Sequence, residues 1–380
     1  MLSLYIHIPF CPRKCLYCDF NSYAGLEHLF APYVRALTEE IAAAGQQRQR
    51  PPVKTIYLGG GTPTLLPPDL LADILAACRR AFAVQADAEI TCEANPGTVD
   101  QQRFADLRRL GANRLSLGVQ SFDDGELRFL GRIHTAAEAE AAFHSARAAG
   151  FANVNLDLIF GLPGQRTETW QRTLDQALAL APEHLSLYGL SVEEGTPLAQ
   201  RVAEGRVPPP DDDLGADLYL LACDLLADAG YMHYEISNWA KQSPDIACRH
   251  NLTYWRNQPY LGFGAGAHSS REGRRWWNVR SPAEYVERLE RNQSPIEGSE
   301  EINDALGRGE TMMLGLRLVQ EGVEFAAFER RFGRPLLDVY GQEIAALEQV
   351  GLLQRLPERV RLTRRGRLLG NQVFAQFLPS

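Results

Sequence analysis

A chain of 380 residues with a formal net charge of −8 has no general electrostatic attraction to phosphate backbones or anionic lipid, so nucleic acid is excluded as a first guess at a partner. Hydrophobic residues at 45% and charged residues at 23% place it among folded globular chains, and the length suits one large α/β domain with a smaller one appended. The N-terminus MLSLYIHIPF has neither a basic n-region nor a cleavage site, and no apolar run reaches the roughly 18 residues that span a bilayer, so a cytoplasmic setting is expected.

In chain order, β-rich runs appear at 2–8 (LSLYIHI), 54–60 (KTIYLGG), 88–95 (AEITCEAN), 114–120 (RLSLGVQ), 153–163 (NVNLDLIFGLP) and 184–192 (HLSLYGLSV). Helical stretches around 28–45, 69–83, 100–110, 136–149 and 167–180 separate them, with Thr98 and Thr167 at expected N-cap positions. Repeated βα units predict a parallel sheet that curls. A full eight-unit barrel needs about 250 residues, so the expectation is an α/β partial (β/α)6 barrel over 1–230. The run VPPPDDDL at 207–214 breaks the rhythm before an amphipathic helix at 213–229. Residues 231–280 are rich in aromatics and glycine and read as short strands and loops. Residues 281–380 read as a mainly helical, winged-helix-like domain: helices at 303–318, 323–332 and 336–349, the short strands LLQRL and VRLT, and a last helix at 364–378.

Seven cysteines is an odd number, and three of them fall within one loop as Cys11-Pro-Arg-Lys-Cys15-Leu-Tyr-Cys18. In a reducing compartment such a cluster points to metal or redox chemistry. A [4Fe-4S] cube wants one terminal ligand on each of four irons, so three thiolates leave one iron open to a cofactor. The competing assignment is a structural zinc with His7 as fourth ligand.

YIHIPFC, the cysteine triad and Gly59-Gly60-Gly61-Thr62-Pro63 together resemble the radical-SAM superfamily. The likeness is specifically to its branch of oxygen-independent coproporphyrinogen III oxidases and HemW haem chaperones, and it runs over almost the whole chain. The resemblance implies a [4Fe-4S] cluster on Cys11, Cys15 and Cys18, with S-adenosylmethionine (SAM) on the open iron. It implies that Gly60, Gly61 and Thr62 line the SAM site and that Tyr5 lies near the methionyl part; Tyr17, within the cysteine loop, is a candidate to stack on the adenine, with packing in the loop as the alternative. Glu93, Gln120, Arg132 and Asp157 fall at or just past predicted strand ends, where a barrel binds ligands. By resemblance they contact the nucleotide or a second ligand; tying down loops is the alternative for each.

Three features separate the two activities of that branch. The oxidase pattern has a fourth cysteine two residues after the third, where this chain has Phe20; the oxidase has a long N-terminal extension; and His250-Asn251-Leu252-Thr253-Tyr254-Trp255 matches the HNxxYW motif of the chaperones. The resemblance therefore implies a haem chaperone, with coproporphyrinogen decarboxylation as the alternative and no catalytic residue assigned. His250 is the first candidate for a haem ligand, Tyr254 and Trp255 for packing on the macrocycle, and Cys248 ranks below them. A structural turn, with His250 hydrogen-bonded internally, is the competing explanation of the motif. Arg274 and Arg275 beside Trp276 and Trp277 are candidates for haem propionates. The implied partners are haem and haem-acceptor proteins, membrane respiratory enzymes among them, and a homodimer is compatible with the sequence. Gly262-x-Gly264-x-x-Ala267 fits a dinucleotide fingerprint in letters but lacks the βαβ context, and the basic run from Arg361 to Arg367 reads as a solvated face.

Overall fold

The fold is described from a computed structural model, covering residues 1–47, 50–242 and 246–379. The first half runs β1 (Leu2–Ile8), α1 (Phe30–Gln47), β2 (Pro52–Gly60), α2 (Pro68–Ala81), β3 (Ala83–Ala94), α3 (Gln101–Leu110), β4 (Arg114–Gln120), α4 (Asp124–Leu130), α5 (Ala136–Ala148), β5 (Val154–Phe160), α6 (Thr167–Ala179), β6 (His184–Gly189), α7 (Pro197–Ala203) and α8 (Asp212–Asp228). Strands β1 to β6 pair parallel in chain order, the six-unit partial barrel expected.

Then come β7 (Tyr231–Glu235), β8 (Asn238–Lys241), α9 (Arg249–Trp255), β9 (Tyr260–Phe263), β10 (His268–Arg271), β11 (Arg274–Asn278), α10 (Pro282–Glu290) and β12 (Ile296–Glu301). These strands extend both edges of the same sheet, giving the twelve-stranded order β12-β11-β10-β9-β1-β2-β3-β4-β5-β6-β8-β7. Residues 231–280, read as strands and loops alone, thus also contain a helix, and that helix is the HNxxYW segment. Beyond them, α11 (Asp304–Gly315), β13 (Val323–Glu324), α12 (Phe325–Phe332), α13 (Leu336–Gln349), β14 (Leu353–Arg355), β15 (Arg359–Leu362), α14 (Arg364–Leu368) and α15 (Gly370–Ala375) form a winged-helix arrangement around the three-stranded sheet β13-β15-β14.

The parallel strands alternate with period two, as a sheet with two different faces must. Leu4, Ile6, Ile56, Leu58, Leu115, Leu117, Val154, Leu156, Leu185 and Leu187 face the helices, all at most 1% exposed, and build the main core with residues of α1, α2, α3, α5 and α6. The intervening residues face the barrel interior and are mostly polar. Two expected caps shift: Asp100, not Thr98, caps α3 by accepting from the Arg103 N–H, and Thr167 is the first residue of α6, which has no side-chain cap. Asp100 wins because its carboxylate sits three residues before the free N–H.

Candidate functional site

The barrel interior is a cavity of about 350 Å³, open at the C-terminal ends of the strands and lined by residues of β2 to β6 and the cysteine loop. Cys11, Cys15, Cys18, Tyr17, Gly60, Gly61, Thr62, Glu93, Gln120, Arg132 and Asp157 all line it. Sequence positions from 11 to 157 thus meet around one space. Tyr5 does not line it; its hydroxyl bonds to His7 Nδ1 at 3.0 Å in the wall behind.

The cysteine loop leaves β1 and is pinned on both sides. The Cys11 N–H donates to the Tyr23 carbonyl and the Leu16 N–H to the Leu130 carbonyl. The glycines of the β2 end lie against it: a Cβ at Gly61 would come 2.5 Å from the Phe10 carbonyl oxygen, and one at Gly60, whose φ is +113°, 2.5 Å from the His7 ring. Only glycine permits that approach. Thr62 Oγ1 is 3.7 Å from Cys11 Sγ, and Arg132 Nη1 donates to Cys15 Sγ at 3.4 Å. Burial first, then the charge of the neighbouring cysteines, pushes the Cys11 and Cys18 thiols up, so three adjacent thiolates need a cationic group among them. An iron–sulfur core supplies that.

Zinc fits less well. His7, its expected fourth ligand, donates from Nε2 to the Asn21 carbonyl at 2.8 Å and accepts at Nδ1 from Tyr5, leaving no ring nitrogen for a metal.

Glu93 accepts from the Tyr57 hydroxyl at 2.8 Å and from the Gly60 N–H at 3.0 Å, and burial pushes its carboxyl up to about 7, with the nearby Asp157 charge adding to it. Asp157 is raised mainly by burial and accepts from Ser116 at 3.0 Å and Asn155 at 2.8 Å. Gln120 closes β4 at φ +71°, a backbone cost of order 1–3 kcal/mol for a non-glycine residue that is tolerated at ligand sites. Arg132 also donates from Nη2 to the Gly118 carbonyl at 2.7 Å, so its guanidinium joins the cysteine loop to β4.

The opposite, N-terminal end of the barrel is plugged by α9. Thr253 Oγ1 meets Ser3 Oγ of β1 at 2.8 Å, and His250 Nδ1 meets Thr55 Oγ1 of β2 at 2.8 Å. Glu89 of β3 accepts the Arg249 N–H at 2.9 Å and the His250 N–H at 3.0 Å. Glu89 acts as the cap that Cys248, the N-cap residue, does not provide.

His250 Nε2 meets Tyr254 OH at 2.9 Å, so both ring nitrogens are engaged in a residue only 1% exposed. Burial, with Lys54 and Arg114 nearby, pushes its pKa down to about 3. His250, Tyr254 and Trp255 do not line the cavity; Asn251 does. Trp255 instead lies under the Arg317 guanidinium, 4.4 Å from its ring centre, joining the plug to the C-terminal module.

Of the second-rank haem candidates, Cys248 is fully buried, with its thiol pushed up to about 12 by burial, and Arg275 is paired with Glu300 and Glu310, both at 2.7 Å. The basic run also has partners: Arg364 pairs with Asp224 of α8, and Arg367 meets His233 of β7.

Arg114, Ser116, Asn155, Ser186 and Tyr57 line the cavity and were missed by the sequence reading. The signal was present: each is an inward, odd-or-even partner of a buried apolar residue within a strand.

The chain matches the model of the radical SAM superfamily over residues 5–177 and that of the HemN C-terminal domain over 309–369. It is 38% identical to the haem chaperone HemW of Bacillus subtilis, covering 100% of this chain and 99% of that protein, and 40% identical to that of Escherichia coli, covering 99% and 98%. The chain belongs to the HemW family of radical-SAM proteins. That family implies a [4Fe-4S] cluster and SAM, which the cysteine loop and the glycine-lined wall fit. Among solved structures, coproporphyrinogen III oxidase of Escherichia coli, described as a radical SAM enzyme, shares the fold with a TM-score of 0.84 at 24% identity, covering 99% of this chain and 89% of that one. No described helix is long and apolar enough to cross a membrane.

Proposed function

We propose that this protein is a haem chaperone, binding haem and passing it to acceptor proteins, with a [4Fe-4S] cluster on Cys11, Cys15 and Cys18 and SAM on the open iron. Near-complete coverage of relatives named haem chaperone HemW, at 38–40% identity, is the observation that carries this proposal. Cluster and SAM supply one-electron chemistry on a sulfonium when bound. This chain's residues hold and orient them: Gly60, Gly61 and Thr62 admit the methionyl end, Glu93 and Asp157 accept from amine or ribose hydroxyls, Gln120 and Arg132 close the rim, and Tyr17 lies along the base.

Haem is proposed to bind outside the closed floor, because the His250 ring reaches an iron only if it gives up Thr55 of β2 or Tyr254 of its own helix. A cytoplasmic setting, acceptors among membrane respiratory enzymes and a homodimer belong to the same proposal. The alternative, decarboxylation of coproporphyrinogen, is tested anaerobically with SAM, a reductant and the porphyrinogen. A chaperone forms no protoporphyrinogen above background; turnover at an enzyme's rate would reverse the choice.

A further inference from the structure

The closed end of the cavity holds two polar side chains with no hydrogen-bond partner among the described residues. Arg114, the first residue of β4, is 2% exposed, lines the cavity, and has its Nε buried without a partner. Its guanidinium makes no hydrogen bond or ion pair with any described residue. Cys248 and Glu89 favour its charge, and it in turn holds down Glu93 and Asp157, yet none of these accepts a hydrogen bond from it; Glu89 has both oxygens on backbone N–H groups of α9. Asn251 lines the same cavity from the plug, and its carboxamide is likewise unbonded among the described residues. The neighbouring wall is satisfied: Ser116, Asn155, Asp157 and Ser186 bond to one another, and Tyr57 donates to Glu93.

Neighbouring charges offset that of Arg114, but a buried guanidinium whose N–H groups have no acceptor still leaves hydrogen bonds unmade. We propose that Arg114 and Asn251 form a monocarboxylate subsite at the closed end of the barrel, the guanidinium fork taking the two oxygens and the Asn251 amide donating to one of them. A monoanion is favoured because Glu93 and Asp157 already line this cavity and Glu89 lies beside it, so a dianion would be repelled. β4 carries Arg114 at one end and Gln120 at the rim, a separation of about 20 Å over its length. The carboxylate is therefore a small free acid or the end of a slender ligand, not the propionate of a macrocycle at the mouth. The subsite also gives the asparagine of HNxxYW a role that needs no haem iron.

The test is isothermal titration of anaerobically reconstituted, full-length protein with acetate and with hexanoate at fixed ionic strength. Saturable one-to-one binding is expected, weakened roughly tenfold or more in Arg114→Met and less in Asn251→Leu. Tighter hexanoate than acetate identifies a slender ligand, and the reverse a small free acid. Asn251→Asp sets a carboxylate beside the guanidinium, so it should abolish binding while raising the melting temperature. That variant decides the matter alone should Arg114→Met not fold. No saturable binding to the wild type, or undiminished binding in Arg114→Met or Asn251→Asp, overturns the subsite.

Discussion

Replacing His250 by Ala separates a floor residue from a haem ligand. The ring is 1% exposed and holds Thr55 Oγ1, itself 0% exposed, and Tyr254 OH. Its deletion leaves a cavity and two hydroxyls without partners, which together cost about 3–5 kcal/mol. That is a large part of a domain's stability of roughly 5–15 kcal/mol.

A pH signature accompanies it. The folded-state pKa is pushed down to about 3, below the ordinary His value, so as pH falls the unfolded chain takes the proton first. The residue's contribution is complete above about pH 6.5 and shrinks below it, by about 2 kcal/mol at pH 5. Urea denaturation of wild type, His250→Ala and His250→Gln at pH 7.5 and pH 5 reads both effects. Both variants should lose less stability than wild type on acidification, since neither has the ring to protonate. A loss under about 1 kcal/mol in His250→Ala at pH 7.5, with a changed Soret band in the haem complex, would refute the floor role and return His250 to the iron.

Glu89→Ala strips the cap from two N–H groups of α9, that of His250 buried, and should cost about 3–5 kcal/mol, with Glu89→Gln intermediate; equal stability of all three proteins in urea would contradict the trans-capping of α9. Gly61→Ala drives a Cβ against the Phe10 carbonyl, so iron and sulfide content after reconstitution should fall while far-ultraviolet circular dichroism stays native; a full cluster in this variant argues against the close packing of the two loops. Cys15→Ala should retain the fold and lose the cluster's electron paramagnetic resonance signal, and a full complement of iron would remove Cys15 from the ligand set. Phe20→Cys restores the oxidase's cysteine spacing and is expected to give no decarboxylase activity in the anaerobic assay.

The partial barrel was legible because six β-rich runs at helix-length spacing leave few alternatives. Within those runs a finer signal went unread. Leu-Ser-Leu-Tyr-Ile-His-Ile is an alternating strand and not a uniformly apolar one, so its Ser3, Tyr5 and His7 face inward, and the same reading of RLSLGVQ delivers Arg114 and Ser116. The helix over HNxxYW was not legible: His, Asn, Thr and two aromatics are weak helix formers, and its cap comes from Glu89, 160 residues away from Arg249. Edge strands β7 to β12 are short, and the pairings that join them to the barrel, β9 with β1 and β8 with β6, link segments distant in sequence, which local pattern does not reveal. For the cofactor wall, composition gave the cysteines and resemblance gave Glu93, Gln120, Arg132 and Asp157. Resemblance also made His250 a ligand candidate, whereas the structure gives its ring two internal partners.

Haem transfer to an acceptor is the direct test of a haem chaperone. Full-length protein, reconstituted anaerobically and loaded with one equivalent of haem, is mixed with an apo haem-acceptor protein, and the Soret band is followed as the two are separated. In a haem chaperone, saturable haem binding should survive Cys15→Ala, since the floor and the outer surface do not depend on the cluster loop, and haem should move to the acceptor. Absence of saturable haem binding in the wild type, together with rapid formation of protoporphyrinogen from coproporphyrinogen, would contradict that function.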